Sequence, residues 1–266
     1  MQAHAMVGLG LELADEQLAV ACASHDGSAT HLHAVRSILA RYDLAESELA
    51  NTAAHPYGAA ARAIARVAGV GPSPLQQNCS GKHAAMLATC RINGWSIDGY
   101  CELDHPLQVA ITAGIEQLGA AVDHIGIDGC GAPTHAISLR DLAGAFATLA
   151  APGSIVGRAM SSHPAMVGGP TRDITLWMQA LPTLVAKEGA AGVMAAGFAD
   201  GRAISFKVAD GSDLARQAVV AEALRSADVD VDAVAPNTVA RAAVPVLGHG
   251  QPVGWIAARK WTRCSS

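Results

Sequence analysis

A chain of 266 residues is long enough to bury a sizeable core, as one large domain or two small ones. Only 15% of residues are charged and 4% aromatic, and the net charge is −5, so there is no basic surplus to draw nucleic acid or an anionic membrane. Six scattered cysteines are not a disulfide scaffold, no basic start runs into an apolar segment as in a secretory signal, and no apolar run nears the ~20 residues of a membrane span. The expectation is a soluble, cytoplasmic, single-domain protein over residues 1–266, rich in alanine and glycine so that helices pack closely.

Up to Gly10 the chain offers only a short apolar piece, with neither a strand nor a cap. Ala14–Ala23 reads as a helix, with Asp15 and Glu16 in the first turn where carboxylates suit the helix dipole. Ser24-His25-Asp26-Gly27 stops it. Thr30–Arg41 is amphipathic, with Leu32, Val35, Ile38 and Leu39 at helical spacing. Glu46–Ala50 is a short helix at most, and Ala59–Val67 is another helix. Gly71-Pro72-Ser73-Pro74 then forces an extended entry to Gln76–Leu87.

That stretch places Cys79, Ser80, Lys82 and His83 at the start of a helix. Ser80 is a natural N-cap. A lysine in the first turn faces the positive end of the helix dipole, which is unfavourable, whereas a thiol there is more acidic than usual. Two readings stay open on these residues: a cap followed by a buried cysteine and a solvent-seeking lysine, or a reactive cluster.

Further on, Asp104 caps a helix that runs through Leu118, with Pro106 in its first turn. A short strand from His124 enters the glycine turn Asp128-Gly129-Cys130-Gly131, and a helix follows from about Thr134 to Leu149. Thr171–Leu181 is helical, and Lys187-Glu188-Gly189-Ala190 is a helix end or loop. Asp200-Gly201 between Gly192–Ala199 and Arg202–Ala209 signals a hairpin with Lys207 in its second strand. A helix over Ser212–Ala227 turns Leu214, Val219, Ala221 and Leu224 inward, and Ala243–Leu247 with Val253–Ala257 form a second hairpin. The class is α+β, an antiparallel sheet with packed helices.

Two thiols and a nitrogen donor, Cys79, Cys130 and Lys82, make a reasonable zinc site with a fourth position for water or substrate. Lysine is a rare ligand, since it must first lose its proton. A rival chemistry makes Cys79 a nucleophile with His83, one turn on, as its base: a thiol hydrolase. Cys22, Cys90 and Cys101 read as core fillers and Cys264 as an exposed tail thiol.

Several motifs in order carry a family resemblance: Cys22-Ala23-Ser24-His25 with Gly27, Asn78-Cys79-Ser80-Gly81-Lys82-His83-Ala84, Asp104-His105-Pro106, Asp128-Gly129-Cys130-Gly131-Ala132-Pro133-Thr134, Ala186-Lys187 with Gly189-Ala190, and Phe206-Lys207-Val208. From about Asp15 to Gly211 the chain resembles the rhizobial-type L-asparaginases, the asparaginase II family. The resemblance implies a fold like that of glutaminases and serine β-lactamases, and a homodimer that hydrolyses L-asparagine to aspartate and ammonia. It implies Cys79, Lys82 and Cys130 as zinc ligands, Ser24 with Lys207 as one of two Ser–Lys pairs, and Asp128 and His83 as groups that position substrate or ligands. The family also carries a Ser-x-x-Lys motif whose serine is its nucleophile; no Ser-x-x-Lys occurs here, and Met1-Gln2-Ala3 resembles the sequence just after it. Ala191 stands where the family has an acidic residue. The expectation is a chain without the N-terminal segment that keeps the metal site; the alternative to an enzyme is an inactive zinc- or asparagine-binding remnant.

Overall fold

The computed structural model describes residues 1–259, so the expectation for Cys264 lies outside the described residues. The chain opens with six helices: α1 (Gln2–Gly8), α2 (Asp15–Ala21), α3 (Ala29–Arg41), α4 (Ala59–Val67), α5 (Ser80–Asn93) and α6 (Pro106–Glu116). An antiparallel ribbon of β1 (His124–Ile127) and β2 (Pro133–Ala136) leads to α7 (Leu139–Ala150), α8 (Ile155–Ser162), α9 (Pro164–Val167) and α10 (Asp173–Ala180). Strands β3 (Leu184–Gly189), β4 (Val193–Phe198) and β5 (Ala203–Lys207) form an antiparallel sheet in that order. Helices α11 (Asp213–Ser226), α12 (Val231–Val234) and α13 (Pro236–Ala242) precede the hairpin of β6 (Val244–Gly248) and β7 (Gln251–Ile256). The class is α+β, as the pattern of hairpins and helices indicated.

Helix α2 is the hub. Leu18, Ala19, Val20 and Ala21 are all buried, which a helix shows only when it is surrounded. It packs against α3, α5, α8 and α9. Helix α5 is buried from Ser80 to Cys90 apart from Lys82, which is partly covered. The two helices touch at Gly81, where an added Cβ would lie 2.3 Å from the Val20 carbonyl oxygen. Neither backbone can yield without shifting a whole helix. Gly81→Ala is therefore expected to destabilise the fold by about 1–3 kcal/mol or more, read as a lower midpoint in urea with an unchanged slope.

Three expectations are corrected. Residues before Gly10 form a helix, because Ala3, Ala5 and Met6 bury one face against α5 and α6. The segment after the glycine turn is strand β2, whose Pro133 and Thr134 pair with Ile127 and Gly126, and the helix begins only at Leu139. Lys187 and Glu188 lie in strand β3, not in a loop. Their charges conceal the strand in the sequence, since each side chain is buried on a partner.

Local caps differ too. Helix α5 is capped by Cys79, and α6 by His105, whose Nδ1 accepts from Leu107 N–H at 3.2 Å. In α11, Ala221 and Leu224 face inward as expected, while Leu214 is exposed. Ala191 joins β3 to β4 with φ of 55°, a left-handed conformation that costs a non-glycine residue about 1–2 kcal/mol. Among the described residues no helix is long and apolar enough to cross a membrane.

Candidate active site

Two polar clusters meet where the C-terminal end of α2 approaches the start of α5. Ser24 N–H donates to Val167 O at 3.2 Å, and His25 N–H to Asn78 O at 3.0 Å. These bonds hold the residues after α2 against Asn78, the residue before Cys79. The seam is fixed by His25, whose Nδ1 accepts from Gly27 N–H at 3.1 Å. Its proton is therefore on Nε2, which meets Ser80 Oγ at 2.9 Å. Burial first, then the neighbouring His31 and Arg172, push the His25 pKa down to about 3, so it stays neutral. The Ser80 hydroxyl serves this seam and does not cap the helix.

The first cluster is built on Ser24. Lys187, largely covered in β3 with its side chain 17% exposed, donates from Nζ to Ser24 Oγ at 2.9 Å and to Glu188 O at 2.6 Å. Burial lowers the Lys187 pKa, against the opposing pull of Glu188, while Arg172 adds to the lowering. Lys207, by contrast, ends β5 at the exposed side of the sheet, with its amine on Val208 O. The pairing Ser24–Lys207 is thus corrected to Ser24–Lys187. The register explains it: Lys187 is opposite Ala195 in β4 and Lys207 opposite Val193, so β4 lies between the strands that carry the two lysines. Each strand step is about 4.8 Å, and β5 is the far edge.

Arg172 braces this cluster. Its guanidinium donates to Ser24 O at 2.7 Å, binds Glu188 Oε1, lies 3.6 Å from Asp26 Oδ1, and covers the Tyr57 ring at 4.7 Å. Asp26, Tyr57 and Arg172 border a cavity of about 350 Å³ together with Asp173 and Arg216. Burial raises the Asp26 pKa, with Arg172 opposing.

The second cluster joins α5 to the β1–β2 turn. Gly131, at φ 89°, folds the turn so that Asp128 N–H reaches Ala132 O at 2.9 Å, which brings Cys130 inward. Lys82 Nζ then donates to Cys130 Sγ at 3.3 Å, and Asp128 Oδ2 lies 3.7 Å from the same sulfur. Cys79 N–H is held by Gln77 Oε1 at 2.8 Å, and Gln77 in turn by Asn51. A hydrogen bond from Cys79, then His83 and Lys82, hold Cys130 well below an ordinary thiol; the same bond and burial raise Cys79. Burial works against the charge of Lys82, yet Cys79, Cys130 and Asp128 outweigh it and raise its pKa.

His83 is buried behind the second cluster, with Nδ1 on Tyr100 Oη at 2.8 Å. No hydrogen bond joins it to Cys79 among the described residues. Among the described residues no three His, Cys, Asp or Glu side chains form a metal-binding group. Lys82 meets Cys130, and Cys79 Sγ donates to Asn78 Oδ1 at 3.4 Å; two sulfurs and one amine are a donor set whose chemistry suits a soft-to-borderline cation such as zinc.

Sequence reasoning missed Lys187, Glu188, Arg172 and Tyr100 as site residues. Lys187 carried a signal: it follows the apolar run Leu184-Val185-Ala186 directly, and Ala186-Lys187 is part of the family motif.

An α+β fold that brings a lysine amine onto a serine hydroxyl, next to a thiol–amine cluster, has the parts of an amidohydrolase. The chain belongs to the L-asparaginase II family, whose family model matches residues 1–258, and this sets it among the asparaginase-like amidohydrolases. No curated protein matches the chain.

Proposed function

We propose that this protein hydrolyses L-asparagine to L-aspartate and ammonia, with Ser24 as nucleophile and Lys187 as its base. The observation that carries this is the 2.9 Å contact between Lys187 Nζ and Ser24 Oγ, made by a largely covered amine whose pKa is depressed. A neutral Lys187 takes the Ser24 proton as Oγ bonds to the carboxamide carbon. It returns that proton to the departing nitrogen as the C–N bond breaks, which releases ammonia and leaves a β-aspartyl ester. Water then attacks the ester, Lys187 takes the proton of that water, and the C–Oγ bond breaks as Ser24 is reprotonated.

Cys79, Lys82 and Cys130 would hold zinc, and Lys82 would give up its proton to do so. When bound, the ion supplies a fixed positive charge that would orient the substrate carboxylate. Asp128, partly exposed, would accept from the substrate ammonium. A homodimer belongs to the same reading and rests on the family resemblance; a cytoplasmic location is the expectation from the sequence pattern.

A second reading, a zinc- or asparagine-binding protein without turnover, is favoured by the hold of Glu188 on Lys187 Nζ, which opposes the loss of its proton. Ammonia release from L-asparagine decides between them. Turnover above background that disappears in Ser24→Ala supports the hydrolase. A folded, zinc-loaded protein with no turnover supports the binder and ends the hydrolase reading for this chain.

A further inference from the structure

Glu188 is a buried acid that uses only one of its oxygens. Oε1 binds the Arg172 guanidinium and lies 3.6 Å from Lys187 Nζ. Oε2 is buried with no hydrogen-bond partner among the described residues. Burying an acceptor in this way is costly, and Arg172 does not require it, since Asp26 already lies 3.6 Å from the same guanidinium. The Lys187 amine gives the acid a second purpose. Neighbours in a strand point to opposite faces, yet Lys187 folds back along β3 until Nζ meets the Glu188 carbonyl at 2.6 Å and Ser24 Oγ at 2.9 Å. At 3.6 Å the Glu188 carboxylate is too far for a hydrogen bond, so it acts on the amine through its charge. Arg172 closes the circuit, because the guanidinium that holds Glu188 also donates to Ser24 O.

We propose that Glu188 is a positioning residue of the Ser24–Lys187 pair: its carboxylate, tied to the backbone of Ser24 through Arg172, holds the charge on the Lys187 amine and sets the pH at which Ser24 becomes reactive. The proposal rests on the hydrolase reading above. A charged amine can only donate to Ser24 Oγ; the neutral amine can accept the hydroxyl proton. Burial works first against the charge of Lys187, and Glu188 is the largest influence opposing it. The other groups acting on the amine come from three elements. Arg172, at the start of α10, adds to the lowering. Cys22, at the end of α2, is pushed up to about 11 by burial and is a neutral thiol. Cys79, before α5, is raised by its bond to Cys130 and by burial, and is neutral too. The acid that opposes the release of the proton is thus Glu188, and removing its charge should make Ser24 reactive at lower pH.

The test reads Ser24 itself, in the full chain without metal. A fluorophosphonate bonds to a reactive serine oxygen with loss of fluoride, and the rate of labelling is followed by intact mass from about pH 6 to 10, with Ser24→Ala to identify the site. Glu188→Gln keeps an acceptor for Arg172 and loses the charge. Its acid limb should move down by about 1–3 pH units, the range for removal of an opposite charge at this distance. Glu188→Asp keeps the charge, so its limb should stay in place even where the rate falls. A Glu188→Gln limb that coincides with the wild type overturns the proposal, whatever the rate. A Glu188→Asp limb that moves down as far as that expected shift also overturns it, and this variant decides the matter if Glu188→Gln fails to fold. Wild-type protein whose Ser24 is labelled at no pH overturns the hydrolase reading and this proposal with it. A labelled Ser24 with an unmoved limb overturns this proposal alone.

Discussion

Lys187→Met is expected to lower ammonia release from L-asparagine by about 10²- to 10⁴-fold, the range for loss of a positioned base, while Lys207→Met leaves it essentially unchanged. The contrast follows from geometry: one amine is on Ser24 Oγ, the other on Val208 O at the sheet edge. A matching loss in Lys207→Met would overturn the assignment. The same lysine also sets a pH dependence. Its folded pKa is below the ordinary 10.5, so the unfolded chain holds the proton over a pH window in which the folded chain does not. Stability therefore rises with pH from the folded pKa up to about 10.5. Lys187→Met lacks this linkage, so any stability advantage it has over the wild type near neutral pH should shrink as pH rises through that window. Urea titrations at several pH values check the sign. Wild-type turnover should climb over the lower part of the same window, as Lys187 loses its proton and becomes a base.

Arg172→Met should cost about 3–5 kcal/mol of stability, the range for stripping one partner from a buried ionic group. The expected fall in melting temperature is roughly 6–20 °C. Arg172, Glu188 and Asp26 have side chains only 16%, 6% and 12% exposed, so water cannot replace the missing guanidinium. Ser24 O would lose its donor as well, and of these ion pairs only Lys187 with Glu188 would remain. The loss should be smallest in acid. Burial already holds the Asp26 pKa above 3.8, and without Arg172 it rises further. The folded state then binds more protons than the unfolded one, and stability falls as pH climbs past 3.8. Arg172→Lys should recover only part of the loss, because an ammonium cannot span Ser24 O, Glu188 and Asp26 together as the planar guanidinium does. A variant as stable as the wild type at neutral pH would show that the brace is dispensable.

What the sequence determined by itself was local or repetitive. Helical spacing placed Thr30–Arg41 and Ala59–Val67 within a residue of α3 and α4, since periodicity reports one buried face or a clear pair of ends. Asp200-Gly201 placed the β4–β5 turn, because an Asp-Gly pair between apolar runs satisfies a tight turn. Cys79, Lys82 and Cys130 could be proposed as a group from residue type and motif, and the fold does bring Lys82 onto Cys130. Strand β3 was hidden because Lys187 and Glu188 read as polar punctuation; only the packed structure shows them buried on Ser24 and Arg172, where partners make buried charge tolerable. Two lysines in neighbouring motifs were equally eligible to face Ser24. The choice between them is made by strand order and register, long-range properties that no local pattern encodes. Tyr100 lay outside every motif for the same reason: it meets Ala50 and His83, which are distant in sequence and adjacent only after folding.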